Sequence, residues 1–319
     1  MIPAPGACNL LALAWGRIPW ARGVRETMLI GLKLDIGFAQ DEVCRQLYGD
    51  RDILAYLREL GFDGVETPVG PETQTDELRD HIAHCIDAGL KVSLHPYSEG
   101  TIFNPLDFSC DEDNPCRQLH ERFLSLAAEA TRLQQYPTIV NIHGAAGTDK
   151  DSRPHLVEQS IAFFTWAGQW CRQQAPEVGV TVELQISPNA DEPRQRVGDT
   201  YDELLEVARR SGVAACWDFG HAYWNTRRYG WPLYPPDALL PLIRHVHCHD
   251  VFAAEDHQPL VYGAVPWRDF LTLLADHGFD GRVILEVPPT EFPKAGGLPS
   301  LIDSAQALKQ IRQSLLHIH

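Results

Sequence analysis

Carboxylates and imidazoles stand at the ends of successive apolar runs along this chain, where an ionisable side chain is costly to bury. Glu66 closes one run and His95 the next, followed by His143, Glu183, Asp218, the pair His247 and His249, and Glu286. An unpartnered carboxylate in Val-Thr-Val-Glu-Leu (180–184) or Val-Ile-Leu-Glu-Val (283–287) would cost on the order of several kcal/mol, so these groups need a cation or a dense hydrogen-bond network. Two segments add donors. Asp218-Phe-Gly-His221 returns an imidazole soon after a carboxylate, and Glu255-Asp-His257 follows the seventh run. Imidazole with carboxylate is a ligand set for zinc, manganese or cobalt. Taken singly these residues are weak signals. His81, His84, His120, His155, His277, His317 and His319 fall on helical stretches or the tail, where ordinary core and surface roles suffice. Concentration of the others at run ends points to a metal site.

The elements that would position these groups repeat. Apolar runs at 29–36, 64–67, 91–95, 138–143, 180–185, 214–219, 245–249 and 282–287 alternate with stretches of helical period at 53–60, 75–88, 117–133, 156–174, 201–210, 267–277 and 301–315. Helix-ending glycines recur in LGFDGVE (60–66), AGLKVS (88–93), SGVAACWD (211–218) and HGFDGRVILE (277–286), each placed to take the left-handed cap. Eight apolar strands, each followed by helical material, predict a parallel sheet closed as a single (β/α)8 TIM barrel over 28–319. A chain of 319 residues could also hold two domains, and the strand count selects the barrel. In such barrels the active site lies at the C-terminal strand ends, where the polar residues above fall. Residues 1–27, with three prolines, three arginines and no clean period, are expected to be an extension outside the core or a mis-assigned start upstream of Met28.

Composition narrows the function. With 43 acidic against 27 basic residues the net charge is −16, which disfavours a general basic surface for polyanions, though not a local phosphate site. No run approaches the roughly 18 apolar residues of a membrane span, so no membrane partner and a cytoplasmic location are expected. The eight cysteines are scattered without paired spacing and read as reduced thiols.

Taken together, HPY (95–97), IHG (142–144), VEL (182–184), DFGHA (218–222), VHCHD (246–250), the run from His257 to Gly263 and GFDGRVILEV (278–287) resemble the xylose-isomerase-like barrel superfamily. That group contains sugar isomerases and epimerases and the endonuclease IV type of abasic-site nuclease, AP endonuclease family 2. The resemblance runs from Met28 to the C-terminus. In the epimerase branch it implies one divalent ion held by Glu183, Asp218, His247 and Glu286. His247 is chosen over His249 because the family histidine stands three before an aspartate, here Asp250. His245 and His249, on the same strand face, are then supporting partners. In the nuclease branch the resemblance adds His95, His143, His221, His257 and the acidic position Glu255, where the nuclease has Asp, completing a three-metal cluster. The cofactor implied is thus one to three divalent ions of zinc, manganese, cobalt or magnesium.

Two mechanisms follow. In the favoured one, a small sugar or sugar phosphate is isomerised or epimerised through an ene-diolate, Glu183 and Glu286 moving the proton on opposite faces and His221 placing substrate oxygens. In the alternative, clustered zinc cleaves a phosphodiester at abasic-site DNA. That reading needs a basic grip, and the supply after the strands is modest: Lys150, Arg153, Arg194, Arg196, Arg227, Arg228 and Lys294. A non-catalytic barrel with a structural metal is a third reading, which carboxylates ending two strands argue against. His95, His143, Arg227, Arg228 and Trp224 are the candidate substrate contacts. The last three sit in an aromatic loop with Tyr223, Tyr229, Trp231 and Tyr234, read either as a lid or as a packed loop or subunit contact. The insertion at 98–116 is expected to cover the pocket. A homodimer is implied only by resemblance.

Overall fold

Short runs of Val, Ile and Leu, buried on both faces, form the barrel wall. In the computed structural model, which describes residues 28–97, 103–253 and 255–316, these runs become eight parallel strands. They are β1 (Leu29–Lys33), β2 (Gly64–Val69), β3 (Lys91–Pro96), β4 (Ile139–Ile142), β5 (Gly179–Glu183), β6 (Ala214–Asp218), β7 (Ile243–Cys248) and β8 (Arg282–Leu285). They close into one barrel in sequence order, β8 pairing with both β7 and β1. The expected extension at 1–27 lies outside the described residues.

Helices cover the outside of the wall: α1 (Glu42–Tyr48), α2 (Ile53–Leu60), α3 (Thr75–Asp87), α4 (Pro115–Gln134), α5 (Arg153–Gln174), α6 (Tyr201–Ser211), α7 (Phe219–Tyr229), α8 (Trp267–Asp276), α9 (Glu291–Lys294) and α10 (Leu298–Leu316). Their starts follow side-chain chemistry: Asp52 caps α2, Asn114 caps α4 and Thr200 caps α6, each accepting from a backbone N–H of the first turn. Gly61, Gly89, Gly212 and Gly278 all take positive φ, as the repeated helix-to-strand joints require. Aromatic side chains fill the space between wall and helices. The fully buried Trp217 lies 4.7 Å from Phe270 and 4.8 Å from Phe219, so β6, α7 and α8 share one packed contact.

The structure corrects three expectations. The segment expected to be an aromatic loop around Arg227 and Arg228 begins as helix α7, because Asp218 caps it and Gly230 ends it in the left-handed conformation. The seven-residue helix α1, capped by Asp41, was hidden by its shortness. The described part of the insertion packs sideways, with Phe108 against Phe163 and Trp166 of α5 and Asn104 bonding the Ala146 backbone, away from the barrel mouth. Two small antiparallel sheets stand apart from the barrel wall, one pairing Ala146–Thr148 with the chain-distant Arg194–Arg196 and the other a hairpin of Asp250–Phe252 with Glu255–Gln258. The seven described cysteines are unpaired, and no described helix is long and apolar enough to cross a membrane.

Candidate metal centre

Side chains alternate along a strand, so an inward residue near each C-terminal end reaches the barrel mouth. Glu183 and Asp218 are the last residues of β5 and β6, His95 and His247 lie near the ends of β3 and β7, and Glu286 and His143 stand one step beyond β8 and β4. His221 occupies the first turn of α7, and His257 is carried by the hairpin of Asp250–Phe252 and Glu255–Gln258. All but His143 and His257 are buried. Donor atoms of Glu183, Asp218 and His247 lie within 4.8 Å of one another, as do those of His95, His143 and Glu183, of His95, His247 and Glu286, and of Asp218, His221, His249 and His257.

Each imidazole is turned by the bond it makes behind the cluster. Glu66 of β2 accepts from His247 Nε2 at 2.6 Å and from His245 Nε2 at 2.7 Å, so His247 directs Nδ1 into the cluster. His95 Nδ1 donates to the Asn141 carbonyl and His221 Nδ1 to the Leu184 carbonyl, leaving each Nε2 for the mouth. Asp218 Oδ1 accepts from the His221 backbone N–H at 2.7 Å and faces His249 Nε2 at 3.0 Å. Glu183 accepts from Asn141 Nδ2 at 2.5 Å and Gln185 Nε2 at 3.1 Å, and Thr181 Oγ1 donates in turn to Asn141. These bonds fix tautomers and carboxylate planes, the usual task of groups standing behind metal ligands.

Forward of these bonds, contacts are close but unsatisfied. His247 Nδ1 is 2.9 Å from Glu286 Oε2, 3.4 Å from Glu183 Oε2 and 3.7 Å from Asp218 Oδ2. Yet His247 Nδ1, Glu286 Oε2 and His95 Nε2 are buried without a hydrogen-bond partner. Atoms that approach without bonding one another converge on a common point. The electrostatics agree. Burial would raise the Glu183 carboxyl, but His143, His247 and His95 hold it down to about 2. Glu286 is likewise depressed against its burial, by His247, His257 and Lys33. Burial opposes a charge on His247, while Cys216, Glu286, Glu66 and Glu183 push its pKa well up. His257, also opposed by burial, rises to about 10 through Glu286 and Asp256. Several buried carboxylates in one place therefore favour a cation among them.

A cavity of about 580 Å³ opens above the cluster, lined among others by Lys33, Tyr97, His143, Glu183, His221 and Glu286. Its hairpin side presents Glu255, Asp256 and His257, where Asp256 Oδ1 meets His257 Nδ1 at 3.0 Å. Glu255 is exposed and belongs to none of the donor groups found among the described residues. Arg227, Arg228 and Trp224 do not line this cavity. The exposed Arg228 guanidinium stacks 4.4 Å from the Trp224 ring and donates to the Ser187 carbonyl, because α7 turns that face outward. Reading ionisable residues at run ends missed Lys33, Asn141 and Gln185. Lys33 ends β1, but the apolar run was extended to residue 36, so the rule passed over it. Asn141 of β4, bonded to Glu183 and Thr181 of β5, carried no charge to draw notice.

A family model described as xylose isomerase-like TIM barrel matches residues 54–314. None of the curated proteins matches significantly. Among solved structures, a D-tagatose 3-epimerase-like protein superposes with TM-score 0.62 at 16% identity over 91% of this chain and 99% of its own. A D-psicose 3-epimerase from Clostridium cellulolyticum H10, with D-tagatose, gives 0.58 at 13% identity over 91% and 99%. An AP endonuclease, family 2, from Brucella melitensis gives 0.54 at 14% over 82% and 93%. At these identities the likeness speaks for the fold alone. The family match spans most of the chain, and the protein belongs to the xylose isomerase-like TIM barrel family.

Proposed function

We propose that the protein is a divalent-metal-dependent isomerase or epimerase of a small sugar, working by proton transfer between carboxylates. The carrying observation is that Glu183 and Glu286 approach His247 Nδ1 from two sides, at 3.4 and 2.9 Å, at the floor of a sugar-sized cavity. The residues fit an ion on their own chemistry, because the unpartnered His247 Nδ1 and Glu286 Oε2 converge among carboxylates. Glu183, Asp218, His247 and Glu286 would hold it, a mixed imidazole and carboxylate set suited to zinc, manganese or cobalt before magnesium. When bound, a divalent ion supplies Lewis acidity that makes a proton beside a carbonyl easier to remove.

The chain's own groups do the rest. Asn141 and Gln185 fix the plane of Glu183, so its carboxylate takes a proton from one face of a bound sugar without first reorganising. Glu286, on the other side of His247, returns a proton to the opposite face. His221, its Nδ1 engaged by Leu184, offers Nε2 to a substrate oxygen.

The second reading is phosphodiester cleavage at abasic DNA, favoured by His95, His143, His221 and His257, which are more donors than one ion needs. The neighbours named for sugar epimerases support the first reading and the family 2 AP endonuclease the second. Glu255, Asp256 and Glu291 line the cavity alongside Lys33, Arg196 and Lys294, and Arg227 and Arg228 stand outside it, so the rim lacks the net basic grip a polyanion needs. Metal analysis of purified protein, with parallel assays on ketohexoses and abasic duplex, tests the choice. One ion and sugar conversion are expected; about three ions with strand cleavage would overturn it.

A further inference from the structure

Lys33 lines the cavity and is left unused by the proton-transfer account. It ends β1 in register with Glu66 of β2, so both point inward at the layer of the cluster. Its side chain is 13% exposed, and its Nζ sits 5.0 Å from the centroid of the Tyr97 ring and 3.6 Å from Glu286 Oε1, beyond hydrogen-bond reach. A lysine loses hydration when it is buried this far, and its neighbours here are Tyr97 and Glu286, a carboxylate that the proposed ion would share. Lys33 is thus a largely buried cation lining the cavity, next to a carboxylate assigned to proton transfer.

We infer that the substrate is a sugar acid whose carboxylate adjoins the reacting carbon and is bound by Lys33. The inference rests on the proposed sugar reaction for the size and class of ligand. The position of Lys33 decides where the negative group lies. A group beside Glu286 is within a bond or two of the carbon that Glu286 serves, whereas a phosphate at the far end of a hexose lies several bonds away. Lys33 is thus a specificity-determining residue, and a neutral ketose would offer it no anionic group.

The test is calorimetric binding to the metal-loaded protein of three probes: D-fructose, 2-keto-D-gluconate and D-fructose 6-phosphate. The second differs from the first by a carboxylate next to the carbonyl, and the third carries its charge at the other end. A charge-assisted hydrogen bond predicts that 2-keto-D-gluconate binds roughly 10-fold or more tighter than fructose. In Lys33→Gln that advantage disappears while fructose affinity stays within about 3-fold, since the amide retains size and a donor. Equal weakening of fructose and the acid in Lys33→Gln would overturn the inference, since Lys33 would then serve Glu286 alone. An advantage for the phosphate only would overturn it too, by placing the anion at the far end. Solvent-proton exchange measured on the same samples separates the two ideas. Lys33-dependent acid binding without exchange keeps Lys33 as the partner of the carboxylate but sinks the isomerase reading, and with it the placement beside a reacting carbon.

Discussion

Glu66 Oε1 accepts a hydrogen bond from His247 Nε2 at 2.6 Å while its other oxygen accepts from His245 Nε2 at 2.7 Å. One buried carboxylate on β2 thereby sets the tautomer of two imidazoles on β7, across the barrel interior. Only in that tautomer does His247 turn a lone pair toward Glu183, Asp218 and Glu286. Glu66→Gln replaces one acceptor with a donor and should lower affinity for Mn²⁺ or Zn²⁺ by about 10- to 100-fold. Calorimetric metal titration checks this; unchanged affinity would remove Glu66 from the account.

Removing the metal should also weaken the fold. Chelation leaves Glu183, Asp218 and Glu286 buried together without an ion. An ion at about 100 times its dissociation constant stabilises by about 2.7 kcal/mol. For a chain of this size that corresponds to a Tm change of roughly 4 °C. Thermal melts before and after chelation, and after metal is restored, should show the loss and its recovery. An unchanged Tm in protein proven to have lost its metal would contradict the assignment.

Two histidines away from the centre predict acid sensitivity. Burial lowers His120, whose Nε2 bonds the Phe103 carbonyl, and His81, 2.9 Å from Thr67 Oγ1, to about 4 each. In the unfolded chain each takes a proton near pH 6.5, so the unfolded state binds more protons between about pH 4 and 6.5 and stability falls as pH drops through that window. At pH 5.5 each costs about 1.4 kcal/mol relative to neutral pH. His120→Gln keeps a donor for Phe103 but cannot titrate. Urea unfolding of both proteins at pH 7.5 and 5.5 should give a stability loss smaller by about 1.4 kcal/mol in the variant. Parallel losses would refute a neutral, buried His120.

The barrel and the ring of polar strand ends were legible because both follow from period and alternation: apolar runs, helix-capping glycines, and a charged residue where each run stops. His247 was separated from His249 only by resemblance; in the structure His249 Nε2 faces Asp218 and its Nδ1 accepts from the His257 backbone N–H. What sequence could not supply was direction. Arg227 and Arg228 follow Asp218 closely, yet the helix begun by that aspartate carries them outward. Lys33 was lost to an error of three residues in the end of one run, and Asn141 to its lack of charge.

Gly220 predicts a local test of that geometry. A Cβ there would lie 1.9 Å from Cε1 of His249, the residue that meets Asp218. Gly220→Ala should push His249 off Asp218, costing about 1–3 kcal/mol and lowering bound metal. Gly230→Ala, where nothing lies within 4 Å of the added carbon, should keep its metal. Metal content and Tm of the two variants check this, and wild-type metal content in Gly220→Ala would contradict it.

The central claim is that Glu183 moves a carbon-bound proton of a small sugar. Its most direct test is deuterium incorporation from D2O into a panel of ketoses and keto acids, followed by NMR with metal-loaded wild-type protein and Glu183→Gln. The account predicts incorporation at a carbon beside the carbonyl with wild type and a loss of at least about 100-fold in the variant, the scale of a general base, with metal still bound. No incorporation from any sugar by the wild-type protein, or undiminished exchange in Glu183→Gln, would contradict it.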